Sequence, residues 1–218
     1  MATWGLHMRV AEKFLGFGYD LEDTYFLVGN IGPDCGVPNE DWSQFTPPNT
    51  VSHWSNGNNR SIQEEKFRNA YLEQHDCDKK ERSFLLGYYV HLLTDKLYVQ
   101  MIDNKIEQDE NYAPLQDDKS FIWTIKKDWY DLDHKYFRDY QENIFQKIFQ
   151  HIKDFPDYLD YYPKGAVQRQ VNFITNFYQN PTETLDREYV YLSEKEMNSF
   201  INEAVEKIKD DLEFRHLI

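Results

Sequence analysis

Apolar side chains recur at helical spacing along most of the chain. Leu6, Val10 and Phe14 lie on one side of a first predicted helix at residues 4–17. Further helical patterns cover residues 61–75, 81–104, 119–152 and 167–180, and a last one begins after Leu192. The pattern over 119–152 predicts a break near Asp131, and strand patterns are scarce. We therefore predict a single all-α domain over residues 1–218, with six or seven helices.

Polar residues mark where these helices begin and where the chain is irregular. Ser61 with Glu64, and Ser193 with Glu196, have the spacing of a capping box at a helix start. Residues 29–60 are rich in Gly, Pro and Asn, which predicts a long loop. A loop of this length in a compact domain is usually functional or disordered. Its Trp and Phe content favours an ordered one.

One predicted helix combines an apolar surface with two polar side chains. Residues 87–98 read GYYVHLLTDKLY, and apolar or aromatic side chains cover nearly every face from Phe84 to Met101. His91 and Asp95 are one helical turn apart, so they point the same way. An unpartnered polar group in a core costs about 1–3 kcal/mol, and a charge costs more. The pattern therefore predicts a partner for this pair.

Composition and charge restrict the classes of partner. The 218 residues suffice for one domain with a real core, and 17% of them are aromatic, with 16 Tyr and 15 Phe. The net charge of −14 argues against unspecific binding of duplex nucleic acid and against anionic membrane surfaces. A small phosphorylated substrate attracted by metal ions is compatible with this charge.

The cysteine count and the absence of long apolar runs bear on the cellular compartment of the protein. Cys35 and Cys77 could pair, but two cysteines are too few for a disulfide framework. The sequence has no apolar run long enough to span a bilayer, and MATWGLHMRV at its start lacks a secretory apolar core. These features predict a cytoplasmic protein without a transmembrane segment.

Five His and Asp residues are candidate metal ligands. They offer three imidazoles and two carboxylates, the ligand types of hydrolytic zinc sites: His7, Asp34, His53, His91 and Asp95. Each has an ordinary interpretation when taken alone. A His-x-x-x-Asp pair is a common structural solution in a core, and Pro-Asp-x-Gly is strong turn chemistry. The separate signals are weak, and their combination and order carry the prediction.

That order resembles the zinc-dependent phospholipase C family, within the superfamily that also holds the P1-type nucleases. The resemblance consists of an early His7, the turn GNIGPDCG from Gly29, the SHW sequence at His53, and a helix reading Gly87-x-x-x-His91-x-x-x-Asp95. It covers about the first 105 residues closely, while the later helices are compatible but less specific. The family fold is all-α, in agreement with the helical pattern.

The resemblance implies a zinc cluster acting on a phosphate ester. His53, His91, Asp95 and Asp34 would hold one ion, and His7 with the other oxygen of Asp95 would hold a second. Asp34 would also accept a proton from the attacking water. Zinc lowers the pKa of bound water toward about 7 and stabilises charge on phosphoryl oxygens. Attack at phosphorus would release an alcohol, such as diacylglycerol, and a phosphorylated headgroup.

Two departures from the family pattern concern the number of ions. The secreted phospholipases bind metal through the amino group of a mature N-terminal Trp, whereas Trp4 is internal here. They also carry a later His-x-x-x-Glu, which does not occur in this sequence. Asp128, Asp131, Asp133 and His134 could substitute for it, but we prefer to interpret them as a solvated helix face. We expect two zinc ions and leave a third open.

Three alternatives compete with the phospholipase-like hydrolase. A nuclease or nucleotidase could use the same scaffold, although the negative charge disfavours long nucleic acids. The HD phosphohydrolases are another all-α, metal-dependent class, and His75-Asp76 supplies their adjacent pair, but in a polar run typical of a helix end. A binding or structural protein of this fold could retain metal without turnover.

Overall fold

Helices make up most of the regular structure in a computed structural model that describes residues 1–41, 43–57, 61–73, 76–181 and 184–218. In chain order the helices are α1 (Trp4–Leu15), α2 (Asp23–Gly29), α3 (Asn49–Ser52), α4 (Glu64–Tyr71), α5 (Lys79–Gln108), α6 (Pro114–Asp117), α7 (Ile122–Asp139), α8 (Ile144–Lys147), α9 (Ala166–Gln179) and α10 (Glu194–Phe214). The prediction of an all-α fold is confirmed. Among the described residues, no helix combines the length and the apolar character needed to cross a bilayer.

The described part of the predicted loop at 29–60 contains several short elements. Strands β1 (Val37–Pro38) and β2 (Phe45–Thr46) pair antiparallel, with Val37 opposite Thr46, and form a small hairpin that the sequence patterns did not predict. A 3₁₀ turn lies in the same segment at Gly32–Asp34. Further 3₁₀ turns lie later in the chain, at Glu110–Tyr112, Lys119–Phe121 and Phe149–His151. The loop therefore returns to the helical core at Gly32–Asp34 and again at α3.

Helix α5 is the central element, which explains why its sequence is apolar on all sides. Helices α1, α2, α4 and α10 all pack against it. Ten consecutive residues, from Ser83 to Leu92, are all buried, so every side of this part of α5 is covered. A helix surrounded by others has no solvent face to reserve for polar residues. Its start is set by Asp78, whose side chain accepts a hydrogen bond from the Glu81 N–H at 2.9 Å.

Helices α2 and α5 cross with their backbones in direct contact. A Cβ atom added to Gly29 would lie 2.1 Å from the carbonyl oxygen of Phe84, and one added to Gly87 would lie 2.2 Å from that of Phe26. Any side chain at either position would force the helices apart. Missing from the sequence interpretation was α2 itself, which is only seven residues long. Its apolar residues Phe26, Leu27 and Val28 are buried at the crossing.

Two predicted helix boundaries were wrong for identifiable reasons. Ser61 and Glu64 form no capping box, because α4 begins at Glu64 and the Glu64 carboxylate pairs with Lys96 on α5. The helix predicted over 119–152 is broken between Asp139 and Ile144 rather than near Asp131. Asn143 starts α8 there by accepting a hydrogen bond from the Gln146 N–H at 3.0 Å.

Other predictions of local structure were closer. Ser193 and Glu196 form the expected capping box at the start of α10. The first helix ends at Leu15 instead of Phe17, and Gly18 then takes a left-handed conformation with φ of 78°. Cys35 and Cys77 are both free thiols.

The α2–α5 crossing predicts a strong effect of Gly87→Ala. The methyl group has no space against the Phe26 carbonyl, so we expect the free energy of unfolding to fall by about 1–3 kcal/mol or more. Urea denaturation of the metal-free protein measures this loss. Gly16→Ala is the control, because Gly16 is exposed and right-handed, with φ of −64°. Equal stabilities of the two variants would contradict the proposed packing constraint.

Candidate metal centre

All five candidate ligands meet in one cluster beside α5. His91 and Asp95 project from α5, His7 comes from α1, Asp34 ends the 3₁₀ turn after α2, and His53 follows α3. Two groups of potential ligands are present, and within each group the ligand atoms all lie within 4.8 Å of one another. One group consists of His7, His91 and Asp95, and the other of Asp34, His53 and His91. The structure thus brings together residues up to 88 positions apart in the sequence, from His7 to Asp95.

Asp95 is the hub of the cluster, and its two oxygens face different partners. Oδ1 lies 3.4 Å from Nε2 of His7 and accepts a hydrogen bond from the Ala2 N–H at 2.7 Å. Oδ2 lies 3.3 Å from Nε2 of His91 and 3.7 Å from Nε2 of His53. Asp34 Oδ1 completes this second side at 3.3 Å from the same His53 nitrogen. The Oδ2 side therefore gathers four donor residues.

The backbone and a neighbouring hydroxyl orient two of the imidazoles. Nδ1 of His91 lies 2.7 Å from the carbonyl oxygen of Asn30, which can only accept, so Nδ1 carries the proton. This tautomer leaves the lone pair of Nε2 directed toward Asp95. Nδ1 of His53 lies 3.1 Å from the Ser52 hydroxyl. A hydrogen bond to the distal nitrogen is the usual support of a metal-ligating histidine.

Several buried polar atoms of the cluster have no hydrogen-bond partner among the described residues. They are both ring nitrogens of His7, Nε2 of His53, Nε2 of His91 and Oδ2 of Asp95. His7, His91 and Asp95 are completely buried, so water does not satisfy these atoms from bulk solvent. Leaving such groups unpaired costs about 1–3 kcal/mol each. Convergent lone pairs from imidazole and carboxylate are the donor set of a divalent transition metal, and these groups could hold one.

The electrostatics keep the donors in states that suit a cation. Burial, together with the charge of His91, lowers the pKa of His7 to about 4. Its ring stacks on that of His91 with 3.7 Å between centroids, so both cannot be charged at low cost. Burial alone would raise the pKa of Asp34, but the pairing with His53 and the charge of His91 lower it to about 2.

Asp95 and His91 shift as a coupled pair. Burial disfavours the Asp95 carboxylate, but the charges of the Met1 amino group and of His91 outweigh it and hold its pKa well below the ordinary value. Burial would likewise lower the pKa of His91, and the Asp95 charge instead raises it. Asp95 is therefore ionised at neutral pH, and binding of a divalent cation there would be coupled to loss of a proton from His91.

A tyrosine network positions the two loop-borne ligands. The Tyr162 hydroxyl donates to the Gly32 carbonyl at 2.8 Å, two residues before Asp34, and the Tyr88 hydroxyl donates to the Ser52 carbonyl beside His53. These two hydroxyls lie 3.1 Å apart, and Tyr161 donates to Tyr88 at 3.1 Å. Sequence analysis missed these tyrosines because their spacing is that of ordinary core aromatics.

Access to the cluster is through Asp34. Its side chain is 13% exposed, whereas those of His7, His53, His91 and Asp95 are at most 1% exposed. The chain turns sharply just after His53, where Trp54 has a positive φ of 51°. Such a conformation is unfavourable for a residue with a side chain and is held by the packing of Trp54 against Phe67 and Tyr71.

The acidic residues of α7 do not extend the centre, and they are not a solvated face either. Asp128 and Asp131 are buried and pair with Arg187 at 2.7 and 2.5 Å. Asp128 also accepts from the Tyr191 N–H at 2.8 Å. These contacts of Asp128 and Asp131 attach the segment before α10 to α7. A solvated face was therefore the wrong interpretation, because α7 is covered on that side.

Asp133 and His134 are likewise structural. Asp133 accepts a hydrogen bond from the Tyr178 hydroxyl at 3.0 Å, and the His134 ring packs 4.9 Å from that of Phe177. Neither belongs to either group of potential metal donors found among the described residues. The alternative His75-Asp76 pair cannot be placed, since His75 lies outside the described residues.

Comparison of the chain with protein-family models, with curated proteins and with solved structures gave no match. The likeness to the zinc-dependent phospholipases therefore stays a hypothesis based on the order of the motifs.

The geometry predicts that a divalent transition metal ion, with zinc as the probe, stabilises the protein through these residues. We expect zinc to raise the melting temperature, with a gain in unfolding free energy of about 2.7 kcal/mol when free metal is 100 times its dissociation constant. His53→Ala should abolish most of this gain, because it removes a donor shared by Asp34 and Asp95. His151→Ala, at an exposed histidine, should not. Calorimetry with and without chelator measures both, and an equal gain in the two variants would contradict the site.

Asp133 predicts a distinct pH dependence of stability. Burial raises the pKa of Asp133 from 3.8 to about 7, so the folded state retains a proton that the unfolded state has lost. Its contribution to stability therefore falls as pH rises from 3.8 toward 7. We expect Asp133→Asn to gain stability relative to the unsubstituted protein over this range, as measured by urea denaturation at each pH.

Asp139→Asn is the matched control on the same helix. Pairing with Arg138 and Lys135 lowers the pKa of Asp139 to about 2, so its contribution is complete above 3.8 and is lost only as pH falls toward 2. Its effect on stability should be constant between pH 4 and 7. A pH-independent effect of Asp133→Asn would refute the assignment.

Proposed function

We propose that this protein is a zinc-dependent phosphoester hydrolase similar to phospholipase C. The observation that carries the proposal is the convergence of donor atoms from the five residues that the motif order selects. In four of them, His7, His53, His91 and Asp95, buried donor atoms have no hydrogen-bond partner among the described residues. A core histidine bonded to a helical neighbour would have been satisfied by that one contact. Here the lone pairs of three histidines and Asp95 point into a common space instead.

The donors divide into two sets around Asp95. Asp34, His53, His91 and Oδ2 of Asp95 would hold one ion, since Oδ2 faces His53 and His91 and is otherwise unpartnered. His7 and Oδ1 would hold a second, although Oδ1 already accepts from the Ala2 N–H. When bound, zinc supplies positive charge for a phosphoryl oxygen and lowers the pKa of water.

Asp34 is suited to accept the proton of the attacking water. It is the one ligand candidate with an exposed edge, so it lies between the buried donors and an arriving substrate. Its contact with Nε2 of His53 holds the carboxylate in place, and its lowered pKa keeps it ionised at neutral pH. Reaction at phosphorus would then cleave the bond to the alcohol, leaving a phosphorylated headgroup.

The substrate is proposed to be a phospholipid or a small phosphodiester. The net charge of −14 disfavours a long polyanion, which is why a nuclease acting on nucleic acid is the weaker alternative. A nucleotidase on the same donors would act on small molecules and is not disfavoured by charge. A non-catalytic metal-binding protein would retain the same cluster without turnover.

Hydrolysis of bis(4-nitrophenyl) phosphate by zinc-loaded protein tests the proposal. Asp34→Asn should take up zinc with unchanged stoichiometry, because the amide oxygen can still coordinate, while turnover falls at least about 100-fold through loss of the proton acceptor. Asp41→Asn, at an exposed carboxylate of the same loop, is the control and should retain full activity. Elemental analysis and initial rates give the two measurements.

The outcomes separate the alternatives. Zinc uptake without hydrolysis of diesters, phosphocholine esters or nucleotides would leave the non-catalytic interpretation. Preference for nucleotides would favour the nucleotidase. Absence of zinc uptake would overturn the proposal and make His91 and Asp95 a buried pair of the core.

A further inference from the structure

Helix α7 is held against the start of α1, next to the candidate metal centre. The Tyr178 hydroxyl accepts from the Gly5 N–H at 2.7 Å and donates to Asp133, which joins the two helices. One turn earlier on α7, the Tyr130 ring lies 5.9 Å from that of Trp4. Because Ala2, just before α1, bonds to Asp95, the N-terminal part of α7 lies beside the cluster.

Lys126 is one further turn along the same face of α7. It lies four residues before Tyr130 and seven before Asp133, the spacing of a single helical stripe. The side chain is half-buried, and its ammonium group lies 5.4 Å from the centroid of the exposed Trp123 ring. The carboxylates whose charges act on it are Asp34 and Asp95. Lys126 is therefore a cation of α7 whose charge interacts with both carboxylates of the centre.

This ammonium has no direct ionic partner among the described residues. Asp34 and Asp95 contact the histidines at 3.3–3.7 Å, but neither lies within salt-bridge distance of Lys126. Burial lowers the pKa of Lys126, and the two carboxylates partly offset this effect. A half-buried ammonium without a partner is costly, and an anion placed between it and the metal donors would remove that cost.

We propose that Lys126 binds a non-bridging phosphoryl oxygen of the substrate at the mouth of the centre. The inference rests on the proposed function and names the group that recognises the phosphate. A lysine beside a metal site is a suitable clamp for a phosphoryl group, because both cations are fixed before the substrate arrives. In a chain with a net charge of −14, such a local cation also directs anionic substrates to this opening.

The test measures binding of inorganic phosphate to zinc-loaded protein by titration calorimetry. Lys126→Met keeps the length and apolar stem of the side chain but removes the charge. We expect it to weaken phosphate binding by about 10- to 100-fold, the range for loss of a charged hydrogen bond, and to raise KM for bis(4-nitrophenyl) phosphate. Lys126→Arg should restore part of the affinity, and zinc content should be unchanged in both.

Lys127→Met is the matched control, because it removes the same charge one residue further along α7, at an exposed position on another face of the helix. Its phosphate affinity should stay within about two-fold of the unsubstituted protein, as expected for a screened surface charge. Equal losses in the Lys126 and Lys127 variants would show a general field effect and overturn the proposal.

The remaining outcomes distinguish this inference from the proposed function. If zinc-loaded protein hydrolyses the diester and Lys126→Met binds phosphate normally, only the role of Lys126 is wrong. If phosphate affinity depends on Lys126 but no phosphoester is hydrolysed, the anion site stands and the hydrolase fails. If only Lys126→Met takes up zinc, Lys126 is an internal counter-ion of Asp34 and Asp95, and both proposals are wrong.

Discussion

The close crossing of α2 and α5 is the constraint on which the candidate centre depends. Gly29 and Gly87 allow the two backbones to touch, and no other residue would permit that distance. The crossing places the Asn30 carbonyl 2.7 Å from Nδ1 of His91, which sets the tautomer of this histidine. It also places the next turn of chain, Gly32–Asp34, against α5. Gly29 and Gly87 thus act through helix packing, while the polar residues that follow each of them in the sequence belong to the cluster.

Charge balance explains why the cluster resembles a binding site more than a core ion pair. Asp95 is fully buried and ionised, yet three imidazoles surround it and only its Oδ1 atom accepts a backbone hydrogen bond. The stacked rings of His7 and His91 oppose double protonation, so protons alone neutralise the two carboxylates poorly. A divalent cation would satisfy the same lone pairs without placing two like charges in contact. Lys126 adds a cation whose charge interacts with Asp34 and Asp95, although no ion pair joins it to either carboxylate.

The second half of the chain supports this centre more than it supplies donors. Asp128 and Asp131 bind Arg187 and so attach the segment before α10, and Asp133 joins α7 to α1 through Tyr178. Tyr162 comes from the segment before α9, yet its hydroxyl supports the turn that carries Asp34. The later helices therefore determine how firmly the earlier motifs are held.

By itself, the sequence determined the helical class, most of the long helices and the five residues that meet at the centre. Helical periodicity is local, and the order of short motifs survives without knowledge of contacts, so both can be interpreted from the chain alone. Tertiary structure decided the rest. Ser61 does not cap α4, and Glu64, its predicted partner in the capping box, instead pairs with Lys96. Asp131 does not break α7, and its carboxylate pairs with Arg187. The roles of Asn30, Tyr88 and Tyr162 depend on contacts between residues 36 or more positions apart, and no local pattern encodes such contacts.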